Sequence, residues 1–80
     1  MPGLRVLSGP DLLRIFREFG FEKHSQRGSH LKLRRLVGGE RQSLTIPMHR
    51  EVDRGTLLAI YRQALRYISA KDLQQHFFAD

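Results

Sequence analysis

The spacing of apolar residues changes along the chain, and this change limits the possible folds more than any other feature. Residues 12–19 place apolar side chains at intervals of three and four, which is typical of one face of an α-helix. Residues 31–34 and 43–46 instead alternate leucine or isoleucine with polar residues, which is typical of strands with one buried face. The two periods occupy separate blocks, so we predict an α+β fold.

The first helix has clear start and stop signals. Ser8 is a suitable N-cap, proline is tolerated in the first turn at Pro10, and Asp11 complements the positive end of the helix dipole. Gly20 stands where a C-terminal residue with positive φ is expected. These signals predict a helix over about residues 9–19.

A three-stranded antiparallel sheet is predicted over residues 21–47. The sequence of residues 38–40, Gly-Gly-Glu, indicates a hairpin turn between the two alternating segments, and Pro47 ends the sheet because it lacks a backbone donor. Residues 21–27 are predicted as a third strand at the sheet edge, joined through Gly28 and Ser29. Helices on one face of such a sheet would leave an open face, predicted to carry His30, Lys32, Arg34, Ser43 and Thr45.

Two further helices follow a polar loop. Gly55-Thr56 is predicted to open the second helix, with one apolar face formed by Leu57, Tyr61, Ala64 and Ile68. Ser69, with Asp72 three residues later, predicts a short third helix. The element order is therefore α-β-β-β-α with a short extra C-terminal helix, and we expect residues 1–80 to form a single domain.

The charge of the chain indicates a polyanionic partner. Its net charge is +6, and most of that charge comes from residues 23–41, which hold six basic residues and one acid. A concentration of this kind favours nucleic acid, a membrane surface or an acidic protein as the partner. No apolar run approaches the roughly 20 residues that cross a bilayer, and there are no cysteines. We therefore predict a cytoplasmic protein without a membrane association.

Most catalytic motifs are missing from the sequence. The four histidines show no metal-ligand spacing, Gly38-Gly39 lacks the continuation of a phosphate-binding loop, and no serine stands in a hydrolase elbow. We expect neither a metal nor a cofactor. The remaining candidate is His30, directly after Gly28-Ser29, because imidazole titrates near neutrality and can move protons. By composition alone, however, a histidine on a basic sheet is more often an ordinary surface residue.

Four short motifs in register resemble one protein family. They are Phe19-Gly20-Phe21, Arg27-Gly28-Ser29-His30, Ile46-Pro47-Met48-His49, and Gly55-Thr56-Leu57 with Ile60. Their order and spacing, from about Leu7 to Leu73, resemble the HicA-type toxins of bacterial toxin–antitoxin modules. The resemblance implies a fold similar to double-stranded-RNA-binding domains. It also implies a type II toxin that cleaves mRNA and is held inactive by a HicB-type antitoxin.

The resemblance also implies roles for individual residues. It makes His30 the catalytic residue, as base or as acid. Because no metal-ligand cluster is present in the sequence, we predict a metal-independent endoribonuclease. From the glycine turn and the basic face of the sheet, the predicted RNA-binding residues are Arg27, Gly28, Ser29, Lys32 and Arg34. His49 matches the family but receives no role, and we interpret it as structural. Two other functions stay open: a non-catalytic RNA-binding module that uses the same sheet face, and a protein whose basic surface matches only an acidic partner.

Overall fold

The computed structural model describes residues 3–79. In chain order the elements are β1 (Gly3–Leu4), α1 (Gly9–Glu18), β2 (Glu22–Arg27), β3 (His30–Val37), β4 (Glu40–Pro47), α2 (Arg54–Ala64), α3 (Ala70–Phe77) and β5 (Phe78–Ala79). Strands β2, β3 and β4 form an antiparallel sheet in that order, which confirms the α+β prediction and its double-stranded-RNA-binding-domain-like order. A second, two-stranded sheet of β1 and β5 was not predicted.

Helix α1 begins and ends at the predicted signals. The Ser8 hydroxyl accepts from the Asp11 backbone N–H at 3.0 Å, and the Asp11 carboxylate accepts from the Ser8 backbone N–H at 2.9 Å. This reciprocal capping box satisfies two backbone donors that the first turn would otherwise leave free. At the other end Gly20 has a φ of +90°, the left-handed conformation expected after a helix.

The hairpin of β3 and β4 sets which residues share a face. Gly38 and Gly39 connect the strands with φ values of +58° and +81°, a pair that two-residue hairpin turns favour and that glycine adopts without strain. Residues directly opposite each other in the ladder point to the same face of the sheet. The opposed pairs are His30 with Pro47, Lys32 with Thr45, and Arg34 with Ser43, so the predicted open face is confirmed.

Strand β2 contains a β-bulge that the sequence did not predict. Lys23 pairs with Leu33 and Ser25 pairs with Lys32, which are adjacent in β3. His24 therefore has no partner in the ladder and forms the bulge. The extra residue brings His24 to the open face, where its ring contacts Arg34. All six residues of β2 are exposed, as expected for an edge strand.

The core lies between the inner face of the sheet and the three helices. Its fully buried side chains include those of Leu12, Phe16, Phe21, Leu31, Leu33, Leu44, Ile46, Leu57, Leu73 and Phe77. Each buried side chain of this size contributes about 1.5–3 kcal/mol relative to an exposed one. The apolar positions of the helical and alternating segments therefore meet in one cluster.

The predicted bounds of the second helix were wrong at both ends. Helix α2 begins at Arg54 rather than Gly55, because the Asp53 carboxylate caps it by accepting from the Thr56 N–H at 2.9 Å. It ends at Ala64, so Ile68 is buried but lies in the turn that follows the helix. The Arg35 guanidinium donates to the Tyr67 carbonyl at 3.0 Å and thereby fixes this turn.

Candidate nucleic-acid interface and active site

His30 is the first residue of β3 and lies at one end of the open face. The turn before it consists of Gly28, with a φ of +59°, and Ser29. A residue with a side chain would be strained at that φ, so glycine suits the tight connection from β2. The His30 side chain is exposed, and Arg27 is its direct partner across the β2–β3 ladder. The imidazole is therefore accessible to a large substrate and has a cation beside it.

A groove runs beside His30, between the edge of β4 and helix α2. Its volume is about 200 Å³, and its lining includes His30, Thr45, Pro47, Thr56, Ala59 and Gln63. The backbone N–H of Thr45 points out of the sheet edge and donates to the Gln63 side-chain oxygen at 3.1 Å. This bond holds α2 along β4, so the groove keeps its shape next to the imidazole.

The predicted basic residues form a row that starts at His30. Lys32 and Arg34 follow on the same face, each separated from its neighbour by two residues, or about 7 Å of strand. Lys32 is exposed and Arg34 is half-buried. A row of cations on a flat, open face offers successive contacts to the phosphates of a nucleic-acid strand.

His24 lies beside this basic row and contacts Arg34, although the sequence gave no reason to expect it there. Its Nε2 atom lies 2.8 Å from Nη2 of Arg34, and a guanidinium can only donate, so the ring must be neutral and accept. The pKa of His24 is lowered because neighbouring atoms displace water from the ring. The positive charges of Arg34, Lys32 and Arg41 lower it further.

Arg35, the next residue in the strand, points to the opposite face and has a structural role. Its guanidinium donates to the Phe19 carbonyl at 2.6 Å, the Tyr67 carbonyl at 3.0 Å and the Gln42 side chain at 2.6 Å. It also lies 4.7 Å from the ring centroid of Phe21. Arg35 therefore joins the end of α1 to the turn after α2 and does not belong to the basic row.

The histidines at positions 49 and 76 differ in their surroundings. The His76 ring packs edge-on against Phe19 at 5.5 Å between centroids, on the helical side of the molecule. The His49 ring is exposed, and its Nε2 atom lies 3.2 Å from the hydroxyl oxygen of Ser29. The contact with Ser29 places His49 beside the glycine turn, and because the ring is exposed, burial does not explain its position.

The geometry thus brings Ser29, His30 and the basic row together. A comparison with known families adds a separate finding. The family model described as HicA toxin of bacterial toxin-antitoxin matches residues 9–65, more than half of the chain. The chain belongs to the HicA toxin family. No curated protein and no solved structure matches it significantly.

The HicA match runs from the start of α1 to the residue after α2. It therefore includes the glycine turn, His30, the basic row and His49, whereas α3 and the small β1–β5 sheet lie outside it. Membership of the HicA family makes this chain the toxin of a toxin–antitoxin module, which implies an antitoxin as its partner.

Two further findings concern the described part of this HicA chain. Within residues 3–79, no group of three or more histidine, aspartate or glutamate side chains is arranged to hold a metal ion. Over the same residues, no helix combines the length and the hydropathy needed to cross a bilayer.

Proposed function

We propose that this HicA-family toxin is a metal-independent endoribonuclease that cleaves mRNA in the cytoplasm, with His30 as a catalytic residue. The observation that carries the proposal is the position of His30, exposed after a glycine turn and at the end of the basic row of Lys32 and Arg34. RNA supplies its own nucleophile, the 2′-hydroxyl, so the protein needs only to move protons and bind the phosphodiester.

The proposed substrate contacts follow from the open face. Lys32 and Arg34 bind backbone phosphates beyond the cleaved bond, and Arg27 binds a phosphate on the other side of His30. Gly28 and Ser29 let the RNA backbone approach closely, because their turn is short and Gly28 carries no side chain. Phosphate contacts of this kind position any RNA sequence, so the basic row supplies affinity rather than base preference.

The test is cleavage of mRNA by the purified protein in the presence of EDTA. We expect cleavage without added metal, and we expect His30→Ala to lower the rate by about 10²–10⁴-fold, the usual effect of removing a general acid or base. The melting temperature should change little, because the ring is exposed. Activity that disappears with EDTA and returns with Mg²⁺ would contradict the metal-independent mechanism.

The same experiment distinguishes the alternative function. Binding of RNA by both proteins, without cleavage by either, would identify a non-catalytic RNA-binding module on the same face. Unchanged cleavage by His30→Ala would show instead that another residue is catalytic.

We further propose that the antitoxin is of the HicB type and covers the open face with acidic side chains. A strongly positive surface attracts such a partner rapidly and in a salt-dependent manner. Co-purification with the product of the neighbouring gene tests this, and the variant with Lys32→Ala and Arg34→Ala should bind it more weakly. Binding that is as strong as that of the wild type would place the interface elsewhere.

A further inference from the structure

The contact between His49 and Ser29 brings a second imidazole to the proposed active site. Ser29 directly precedes His30 in the chain, and its hydroxyl oxygen lies 3.2 Å from Nε2 of His49. Both histidine rings are exposed. The proposed function uses only one of them, so the role of the other must be explained from its surroundings.

The backbone around His49 is held more tightly than an exposed loop residue requires. The carbonyl of His49 accepts from the Gly9 N–H at 2.8 Å, and the N–H of Met48 donates to the Ser29 carbonyl at 2.6 Å. Gly9 lies so close that a Cβ atom there would overlap the Pro47 carbonyl oxygen and the Met48 Cα. The start of α1 and the glycine turn therefore fix the backbone of His49, although its side chain is exposed.

Cleavage of RNA by its 2′-hydroxyl requires two proton transfers at different oxygens. A base removes the proton of the 2′-hydroxyl, whose oxygen attacks phosphorus, and an acid gives a proton to the 5′-oxygen as the P–O5′ bond breaks. The products are a 2′,3′-cyclic phosphate and a 5′-hydroxyl, so no further reactant is needed. Two separate imidazoles can carry out both transfers in one step.

We propose that His49 is the general acid that protonates the leaving 5′-oxygen, while His30 is the base. This inference rests on the proposed function. Ser29 orients the His49 ring through the hydrogen bond between them, and the substrate phosphodiester lies between the two histidines.

The two rings come from different elements of the fold. His30 is the first residue of β3, with Arg27 as its partner across the ladder. His49 lies in the loop after β4, where its Nε2 atom contacts the Ser29 hydroxyl. Each ring can therefore serve one of the two oxygens of a phosphodiester bound at the glycine turn.

A substrate with a sulfur atom in place of the leaving 5′-oxygen tests the inference. The probe is a short RNA whose sequence surrounds one cleavage site mapped with the wild type, prepared with either oxygen or bridging sulfur at that site. A thiol has a pKa of about 8.5, far below that of an alcohol, so a thiolate leaves without an acid.

We expect His49→Ala and His49→Gln to cleave the oxygen substrate about 10²–10⁴-fold more slowly than the wild type. Both variants should cleave the sulfur substrate within a few-fold of the wild-type rate. Retained cleavage of the sulfur substrate shows that both variants are folded, and glutamine, which can keep the hydrogen bond to Ser29, separates loss of the acid from loss of that bond. His30→Ala should stay slow on both substrates, and His76→Ala, the matched histidine control, should cleave both normally.

Two results would overturn this inference but leave the proposed endoribonuclease function standing. One is wild-type cleavage of the oxygen substrate by His49→Ala, and the other is an equal defect on both substrates, which would indicate a binding or positioning role. If the wild type cleaves no RNA, so that no cleavage site can be mapped, the proposed function itself is wrong and the inference is overturned as well.

Discussion

On the open face of the sheet, the Nε2 atom of His24 accepts a hydrogen bond from Nη2 of Arg34 at 2.8 Å. Loss of water around the ring, together with the positive charges of Arg34, Lys32 and Arg41, lowers the pKa of His24 from its usual value. A protonated ring also could not accept the bond from Arg34. The unfolded chain has no such restriction and binds a proton near pH 6.5. Folding is therefore linked to pH through this residue.

The sign of this linkage gives the first prediction. Above about pH 6.5 His24 is neutral in the folded and the unfolded chain, and its contribution to the free energy of unfolding is complete. As the pH falls toward the lowered pKa of the folded chain, the unfolded chain binds a proton first, so the free energy of unfolding decreases. His24→Gln keeps an acceptor for Arg34 but does not titrate. The melting temperature of the wild type should therefore fall more steeply between pH 7.5 and 5.5 than that of His24→Gln. Parallel curves would contradict the link.

The second prediction separates two adjacent arginines. Arg35→Ala should destabilise the fold by about 2–4 kcal/mol, because it leaves two backbone carbonyls without their charged donor. Arg34→Ala should change stability much less and weaken RNA binding instead. Chemical denaturation and a binding titration on both variants provide the measurement. Equal loss of stability in the two variants would mean that Arg34 also supports the fold.

The third prediction concerns the salt dependence of RNA binding. Replacing Lys32 and Arg34 together with alanine should weaken binding to RNA of any sequence. It should also lower the slope of log K against log salt by about 1–2, because two phosphate contacts no longer release counterions. The matched control is the pair Arg62→Ala and Arg66→Ala. An equal effect from that pair would mean that RNA binds at α2 and the turn after it rather than at the sheet.

The fourth prediction uses two glycines at helix starts. Gly9→Ala should lower the free energy of unfolding by about 1–3 kcal/mol, because its methyl group collides with the backbone that carries His49. It should also slow RNA cleavage, because the collision displaces His49. Gly55→Ala, where the nearest atom is the Asp53 Oδ1 at 3.5 Å, should be neutral or stabilising by up to about 1 kcal/mol. Melting temperatures and cleavage rates of both variants test the comparison, and equal behaviour of the two would contradict it.

The fifth prediction tests the groove beside His30. Ala59→Leu places a larger side chain in this groove and should slow RNA cleavage while the melting temperature stays within a few degrees of the wild type. Ala70→Leu, at an exposed position of α3, is the control and should cleave at the wild-type rate. Normal cleavage by Ala59→Leu would show that the substrate does not enter the groove.

Local sequence signals predicted much of this fold. The cap at Ser8, the glycine at position 20 and the Gly38-Gly39 turn each act within a few residues, so their outcome depends little on the rest of the chain. The open face was also predictable. Successive residues of a strand point to opposite faces, so once Leu31 and Leu33 are buried, Lys32 and Arg34 must lie on the open face.

Features that depend on distant contacts were not predicted. The bulge at His24 lies in a strand without an apolar pattern, and β1 and β5 are two residues long and depend on each other. The proximity of His49 to Ser29 arises from folding, because 20 residues separate them. For Arg35 a signal existed: the alternation that places Arg34 outward places Arg35 toward the helices.

The bulge in β2 has a consequence for how separate molecules of this protein meet. An edge strand with regular hydrogen-bonding groups can template pairing with a strand of another copy and so begin aggregation. Here the bulge interrupts the regular row, and Glu22, Lys23 and Arg27 place charges along it. The irregularity that carries His24 to the open face therefore also disfavours the addition of a further chain at the β2 edge.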